Sequence, residues 1–340
     1  MRAWLRRGPL ACALWPLSLL FRCIAGLRRG LYRSGILKST RLPVPVVVVG
    51  NIFIGGTGKT PLTIWLVQAL QQAGFHPGVI SRGHGSDERP AHARPVTPES
   101  NARLVGDEPL LIAQRTLCPV MVGRDRAQAG RALLLAQPQV DILVADDGLQ
   151  HYGLQRDVEI VLFDARGTGN GWCLPAGPLR EAPSRRRDFT LVNAPQVSAE
   201  LLASLALPGA LTICMQLAGD WAERLAQRGE RVALSALAWP GARIAAAAGI
   251  GNPGRFFAML KTCGLSFAEL PLPDHHDFLD RPFAGLAFDV ILITEKDAVK
   301  CAQIENLKDD PRLWVVPVTA RIDAALAQQI VEKCRGCSPA

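Results

Sequence analysis

Gly55-Gly56-Thr57-Gly58-Lys59-Thr60 is the stretch of this chain with the plainest chemistry. Closely spaced glycines let successive backbone N–H groups converge on an anion, and the lysine and threonine add a cation and a hydroxyl. Such a set holds a nucleoside triphosphate: Lys59 reaches the β- and γ-phosphates and Thr60 holds Mg²⁺. The general phosphate-loop pattern asks for a glycine where this chain has Phe53. Partition-type ATPases carry a lysine where this chain has Ile54, which argues against that branch. Asp146-Asp147-Gly148-Leu149-Gln150-His151 is the second group. An acid ending an apolar strand contacts the metal shell in phosphate-loop enzymes. Two adjacent carboxylates repel, so both ionise readily only beside a cation. A solvated Asp-Asp-Gly turn is the plainer alternative.

Other residues have two readings on sequence alone. Asp107, in Gly106-Asp107-Glu108-Pro109, is either a plain helix N-cap or a residue with a further role, and Glu108 is a first-turn acid. Arg180 is either a phosphate clamp or part of a solvated run with Arg185, Arg186 and Arg187. Asp274-His275-His276-Asp277 reads as a hydrogen-bonded loop more than a metal site. Cys334 and Cys337 have Cys-x-x-Cys spacing, but no second pair or histidine cluster supports zinc.

The elements that must position these groups alternate strand and helix. An apolar β-branched run, Val46–Val49, enters the glycine-rich turn, and a helix is expected from Pro61 to Ala73, ended by Gly74. Strands follow near 76–81, 120–123, 141–146, 158–164 and 189–192, with helices near 109–116 and 124–136. Residues 86–102 read as a long polar loop. A second alternating unit then places strands near 243–249, 289–294 and 313–318, with helices near 253–263 and 322–333. The expected organisation is a segment 1–42, a domain 43–225 and a domain 226–340.

At 340 residues, 49% hydrophobic and 20% charged, the chain is globular and long enough for two cores. Its net charge of +8 is unevenly spread. Residues 1–42 carry nine basic and no acidic side chains, so the remainder is close to neutral and offers no nucleic-acid-binding balance. Residues 8–27 are apolar apart from Arg22. A basic helix lying in an anionic membrane surface fits this best. Pro9, Pro16 and Arg22 weaken a full span, and a signal peptide would carry a phosphate loop away from ATP.

Taken together, these residues resemble the tetraacyldisaccharide 4′-kinase family. The resemblance rests on Gly50-Asn51, Gly55–Pro61, Ser81-Arg-Gly-His-Gly85, Gly106–Pro109, Asp146–His151, Gly177-Pro-Leu-Arg-Glu181, Gly249-Ile-Gly-Asn-Pro253, Asp274-His275 and Thr294-Glu-Lys-Asp297, in family order. His84 departs from a frequent tyrosine, whereas Phe53 matches the family. The resemblance implies a phosphate-loop NTPase-like three-layer α/β/α domain, a second, smaller α/β/α domain and an N-terminal membrane-associated helix. It implies MgATP-dependent phosphorylation of the 4′-hydroxyl of a tetraacylated glucosamine disaccharide 1-phosphate, giving lipid IVA, at the cytoplasmic face of the inner membrane. It casts Asp107 as catalytic acid–base with His275 as partner. Lys59 and the loop Gly55–Thr60 hold ATP. Glu108, His151, Arg180 and Glu181 serve the transferring group or the metal shell. No obligate protein partner is expected. A soluble small-molecule kinase and a nucleotide-driven ATPase switch are the rival readings.

Overall fold

The computed structural model describes residues 2–83, 92–194 and 196–335. The expectations for His84, Gly85 and Cys337 lie outside them. In chain order the strands are β1 (Val46–Gly50), β2 (Pro77–Ser81), β3 (Arg94–Val96), β4 (Val120–Val122), β5 (Ile142–Asp146), β6 (Val158–Asp164), β7 (Phe189–Asn193), β8 (Leu211–Ala218), β9 (Trp221–Arg224), β10 (Arg231–Ala233), β11 (Ile244–Ala248), β12 (Ala268–Pro271), β13 (Val290–Thr294), β14 (Leu313–Val316) and β15 (Thr319–Ile322). The helices are α1 (Pro9–Arg33), α2 (Lys59–Gln72), α3 (Ala102–Val105), α4 (Asp107–Thr116), α5 (Arg126–Ala136), α6 (Ala199–Leu205), α7 (Pro253–Thr262), α8 (Glu295–Cys301), α9 (Glu305–Lys308) and α10 (Ala325–Arg335).

Two sheets result. The larger has the order β15-β8-β7-β6-β1-β5-β2-β4-β3 and the smaller β10-β9-β14-β13-β11-β12. β1 lies between β5 and β6, parallel to both, with Val49 opposite Asp146 and Ile160. Strands buried on both faces read as unbroken apolar runs, as Val46–Val49 does. Val47 and Val49 pack on the side of α2, α4 and α10. Val46 and Val48 face α5 and α6. The small sheet is likewise covered by α7 on one side and by α8 and α9 on the other. Both units are three-layered α/β/α.

The expected domain ranges need correction. β9 pairs antiparallel with β14 and belongs to the small sheet, so the first unit ends before residue 221. The strand expected over 313–318 ends at Val316 as β14, between β9 and β13 of the small sheet, and an unexpected strand, β15, follows it and returns to pair antiparallel with β8. α10 packs with its Leu326 and Ile330 in the first domain's core. Pattern alone shows apolar runs but not which sheet recruits them. The second domain is therefore an insertion, joined by two chain crossings at 219–220 and 317–318. They run side by side, since β8–β9 and β14–β15 are paired on both sides of the crossing.

α1 is 25 residues long, and by length and composition it could cross a membrane. Of its side chains only Ala11 and Ser18 are buried. It is nonetheless attached to the body. Ser18 Oγ donates to the Cys173 carbonyl at 2.6 Å, and the Trp4 indole N–H donates to the Pro175 carbonyl at 3.1 Å. Arg7 Nε donates to the Asn170 carbonyl at 3.1 Å, and Trp15 lies against Trp172.

Candidate active site

The carboxyl ends of β1, β2 and β5 and the amino end of α2 meet at one place, the usual ligand position of an open parallel sheet. After β1 the chain makes Gly55-Gly56-Thr57-Gly58 and enters α2 at Lys59. Gly58 has φ +97°, and a Cβ there would collide with the Asn193 side-chain amide, so only glycine fits. That amide donates to the Thr57 carbonyl at 2.8 Å, pinning the loop to the end of β7. Lys59 Nζ donates to Asn51 Oδ1 at 3.0 Å and stands 3.5 Å from Asp147. Thr60 follows it in the first turn of α2.

Phe53 now has a physical reason. It forms an antiparallel bridge with Leu179, and the Arg166 guanidinium lies 4.2 Å over its ring. The Ile54 N–H donates to Pro178 O and the Arg180 N–H to Ile52 O. Residues 52–54 are thus a strand-like edge for the 170–180 loop, where an aromatic packs and a glycine would not. The same loop receives α1 and presents Arg180.

Asp146 and Asp147 have different surroundings. Asp146 is buried and accepts from Thr63 Oγ1 at 3.1 Å and Ser81 Oγ at 3.4 Å. Burial, then the nearby Glu108 charge, push its carboxyl up to about 6. Asp147 has φ +50° and accepts from Arg180 Nη1 at 3.4 Å. Burial raises it, but Lys59, Arg180 and Arg126 outweigh that and hold it below the usual carboxylate range. Arg126, itself pushed down to about 10 by burial, fills the space behind the two aspartates. Its Nη1 donates to Gly123 O at 3.1 Å.

Asp107 and Glu108 open α4 after Gly106, whose φ of +91° turns the chain into the helix. Asp107 Oδ1 accepts the Glu108 N–H at 2.9 Å, but the N-cap position is Gly106 and Asp107 is the first helical residue, so the expected N-cap lies one residue earlier. Oδ2 faces the second domain: His275 Nδ1 lies at 3.0 Å and Lys300 Nζ at 3.0 Å. His275 thus reaches Asp107 across the two domains. Burial pushes the Asp107 carboxyl up, yet the His275 hydrogen bond and the Lys296 and Lys300 charges hold it far below the usual range. Glu108 is also held low: burial opposes, but Lys296 at 2.9 Å and the Lys59 charge prevail. The turn Gly251-Asn252 closes against Gly56, and a Cβ at Gly251 would come within 3.0 Å of the Gly56 nitrogen. The Arg255 guanidinium spans the same seam, donating to Asn193 O at 2.7 Å and Thr57 O at 3.3 Å.

Two expected residues stand elsewhere. Glu181 is tied to Arg185 and to Tyr152 OH at 2.9 Å, within a buried ion cluster that includes Glu159. Oε2 makes both of these contacts, and Oε1 is buried without a partner among the described residues. His151 Nε2 accepts the Arg126 N–H at 3.3 Å, capping α5, rather than joining the carboxylates. Conversely, sequence reasoning assigned no role to Lys296, Lys300, Arg126 or Arg255. The two lysines were signalled by their i,i+4 spacing on a helix that follows a strand end, beside Glu295 and Asp297. α8 packs on α4 through Arg115, whose Nη1 lies 2.6 and 2.7 Å from the two Glu295 oxygens. Glu295 also accepts the Val318 N–H at 3.0 Å, at one chain crossing.

The donor set suits a metal–triphosphate. Asp146, Asp147 and Glu108 are oxygen ligands of the kind Mg²⁺ takes, and Thr60 supplies a hydroxyl. Thr57 Oγ1 is buried in the loop without a partner among the described residues.

Comparison with known proteins gives the chain's family. The family profile for tetraacyldisaccharide-1-P 4′-kinase matches residues 10–335. A protein named tetraacyldisaccharide 4′-kinase from Janthinobacterium sp. (strain Marseille) is 60% identical over 341 residues, covering 99% of this chain and 96% of its own. One of the same name from Leptothrix cholodnii is 51% identical over 327 residues, with 93% and 90% coverage. The crystal structure of "apo" form LpxK from Aquifex aeolicus in complex with ATP superposes with a TM-score of 0.77 at 27% identity, covering 96% of this chain and 99% of that one.

Proposed function

Since this chain belongs to the tetraacyldisaccharide-1-P 4′-kinase family, we propose the following division of labour among its residues. The enzyme phosphorylates the 4′-hydroxyl of a tetraacylated disaccharide 1-phosphate with ATP, in lipid A biosynthesis. The loop amides of Gly55–Thr60 and the Lys59 ammonium hold the ATP phosphates. Thr60, Asp146, Asp147 and Glu108 would hold Mg²⁺, which supplies neutralisation of charge on the β- and γ-phosphates. Arg180, carried on the loop that braces Phe53, offsets charge on the transferring group.

The acceptor oxygen bonds to the γ-phosphorus as the β–γ bridging bond breaks, ADP leaves, and the hydroxyl proton passes to Asp107. A carboxylate held so low is a weak base. That is sufficient, because phosphoryl transfer has a loose transition state in which the nucleophile needs little activation. His275 fixes the Asp107 carboxylate so that its free lone pairs face the acceptor. The observation that carries this reading is the buried Asp107–His275 contact between domains, beside the phosphate loop. It is tested by ³²P transfer from ATP to a tetraacyl disaccharide monophosphate in detergent. Labelled lipid is expected; ATP hydrolysis without labelled lipid would support the switch reading instead.

Asp146 gives the metal site a pH dependence. A carboxyl that titrates near 6 must lose its proton to become a ligand. Apparent Mg²⁺ affinity is expected to be flat above about pH 7 and to fall roughly tenfold per unit below about pH 6. Mg²⁺ titrations of nucleotide binding across pH 5–8 check this.

The apolar side chains of α1 dock the enzyme on an anionic membrane at the cytoplasmic face, where ATP is available. Leu20 and Leu27 are 57% and 66% exposed. Leu20→Asp with Leu27→Asp should cut co-sedimentation with anionic vesicles at least about tenfold and leave ATP binding intact. Equal sedimentation would remove the docking role. Truncating α1 is the poorer test, because it would also unseat the 170–180 loop.

A further inference from the structure

We propose that Lys296 is a positioning residue of the transfer reaction: from the second domain it sets which nitrogen of His275 carries the proton, and joins that histidine to Glu108. This rests on the reading of Asp107 and His275 given above. His275 Nδ1 faces the Asp107 carboxylate at 3.0 Å, so this nitrogen donates. The opposite ring nitrogen, Nε2, lies 3.4 Å from the Lys296 ammonium, which has protons to give and no lone pair. Asp274 Oδ1 stands 4.0 Å from Nε2, outside hydrogen-bond reach. Nε2 therefore presents its lone pair to Lys296, and the imidazole is held as the Nδ1–H tautomer. That is the form that can donate to Asp107.

The same ammonium donates to Glu108 Oε1 at 2.9 Å and is 3.9 Å from Asp107 Oδ2. Its third proton adds electrostatic support to the base without a direct bond. Lys300 serves the carboxylate alone among these acids, at 3.0 Å, and its other contact is the His276 carbonyl at 3.0 Å. The two lysines thus divide the work: Lys300 pairs with the base, and Lys296 orients the histidine that orients the base.

Placement makes this a device of domain contact. Lys296 sits in the first turn of α8, one residue after Glu295, whose carboxylate grips Arg115 of α4 and the Val318 N–H at the chain crossing. α4 itself begins with Asp107 and Glu108. Lys296 is only 16% exposed, and its partners Glu108 and His275 come from different domains. It can satisfy both only while α8 lies on α4. A lysine at this point also explains a choice the fold did not otherwise require. Helix packing would accept any long side chain with an apolar stem, but serving a carboxylate and an imidazole lone pair together needs a side chain with several N–H donors.

The test uses the full chain labelled with ¹⁵N-histidine and long-range ¹H–¹⁵N correlation, assigned with His275→Gln. Wild-type protein should show a protonated Nδ1 and a bare, pyridine-type Nε2 at His275. Lys296→Met, which keeps the stem and removes the donors, should mix the tautomers and lower kcat about 10- to 100-fold. KM for MgATP should stay within about twofold. Lys296→Arg should restore the tautomer in part. A wild-type spectrum with the proton on Nε2 overturns the proposal without need of any variant. So does Lys296→Met protein with an unchanged His275 spectrum. The spectrum is read without lipid acceptor, so its outcome is separate from whether Asp107 is the base.

Discussion

Asp107→Ala is expected to lower kcat by about 10²–10⁴-fold at saturating ATP and acceptor, with KM for ATP within about twofold. Removing the side chain removes the proposed proton acceptor, the partner of His275 and the partner of Lys300 at once. The ATP phosphates should be little affected, because among the described contacts Asp107 makes none to residues 55–60. Asp107→Asn is the sharper variant. Its amide oxygen still accepts from His275 Nδ1, so the second domain keeps its seat, while the basic lone pairs are lost. Thermal melting of both variants separates chemistry from folding. The alanine variant also leaves two ammonium groups around a vacated carboxylate, and like charges in a buried place destabilise. The asparagine variant retains shape and a partner, and should melt closer to wild type. If Asp107→Asn turns over at near-wild-type rate, proton acceptance at this position is refuted, and the cluster would be a structural clasp.

Lys59→Ala should lower kcat/KM for ATP at least about 10²-fold, with its larger share in kcat. Lys59 is 14% exposed, held between Asn51 and Asp147 at the mouth of the loop. The loop should keep its shape in the variant, since Asn193 fixes Thr57 and Asn51 Nδ2 donates to Phe53 O at 2.7 Å independently of the lysine. The loss should therefore report the missing charge on the transferring phosphoryl group. Lys59→Arg should recover little. A guanidinium is a broad planar fork where a compact ammonium fits between an amide oxygen and a carboxylate. Single-turnover rates with Lys59→Ala within tenfold of wild type would remove the lysine from the transition state.

Local chemistry was legible in the sequence where one segment carries both the signal and its consequence. Gly58-Lys59-Thr60 after a valine run specified strand, cradle and helix, and Asp146-Asp147 marked a strand end. What the chain concealed depends on which distant segments meet. Glu181 and Arg180 are adjacent, yet one is enclosed with Arg185 while the other reaches Asp147. No spacing rule separates them, because the loop they share turns between the two environments. Lys296 and Lys300 stood in a recognisable strand-to-helix turn, but their role follows from α8 resting on α4, and helix packing across a domain seam leaves no local trace. The split of 313–322 between two sheets was hidden for a related reason: apolar alternation marks a strand without naming its partner.

That split has a consequence for how the protein is made. β15 is an edge strand of the first domain's nine-stranded sheet, and α10 covers part of its core, yet both follow the whole inserted domain in the chain. A ribosome delivers residues in order, and domains generally fold as they emerge. The small domain therefore has all its strands, through Val316, before the large one can close its edge at β8. Until then β8 presents an unpaired edge, the kind of surface that recruits other chains. The ATP-binding half of the enzyme is begun first and finished last, and its final strand is laid down only after the half that brings His275 and Lys296 is complete.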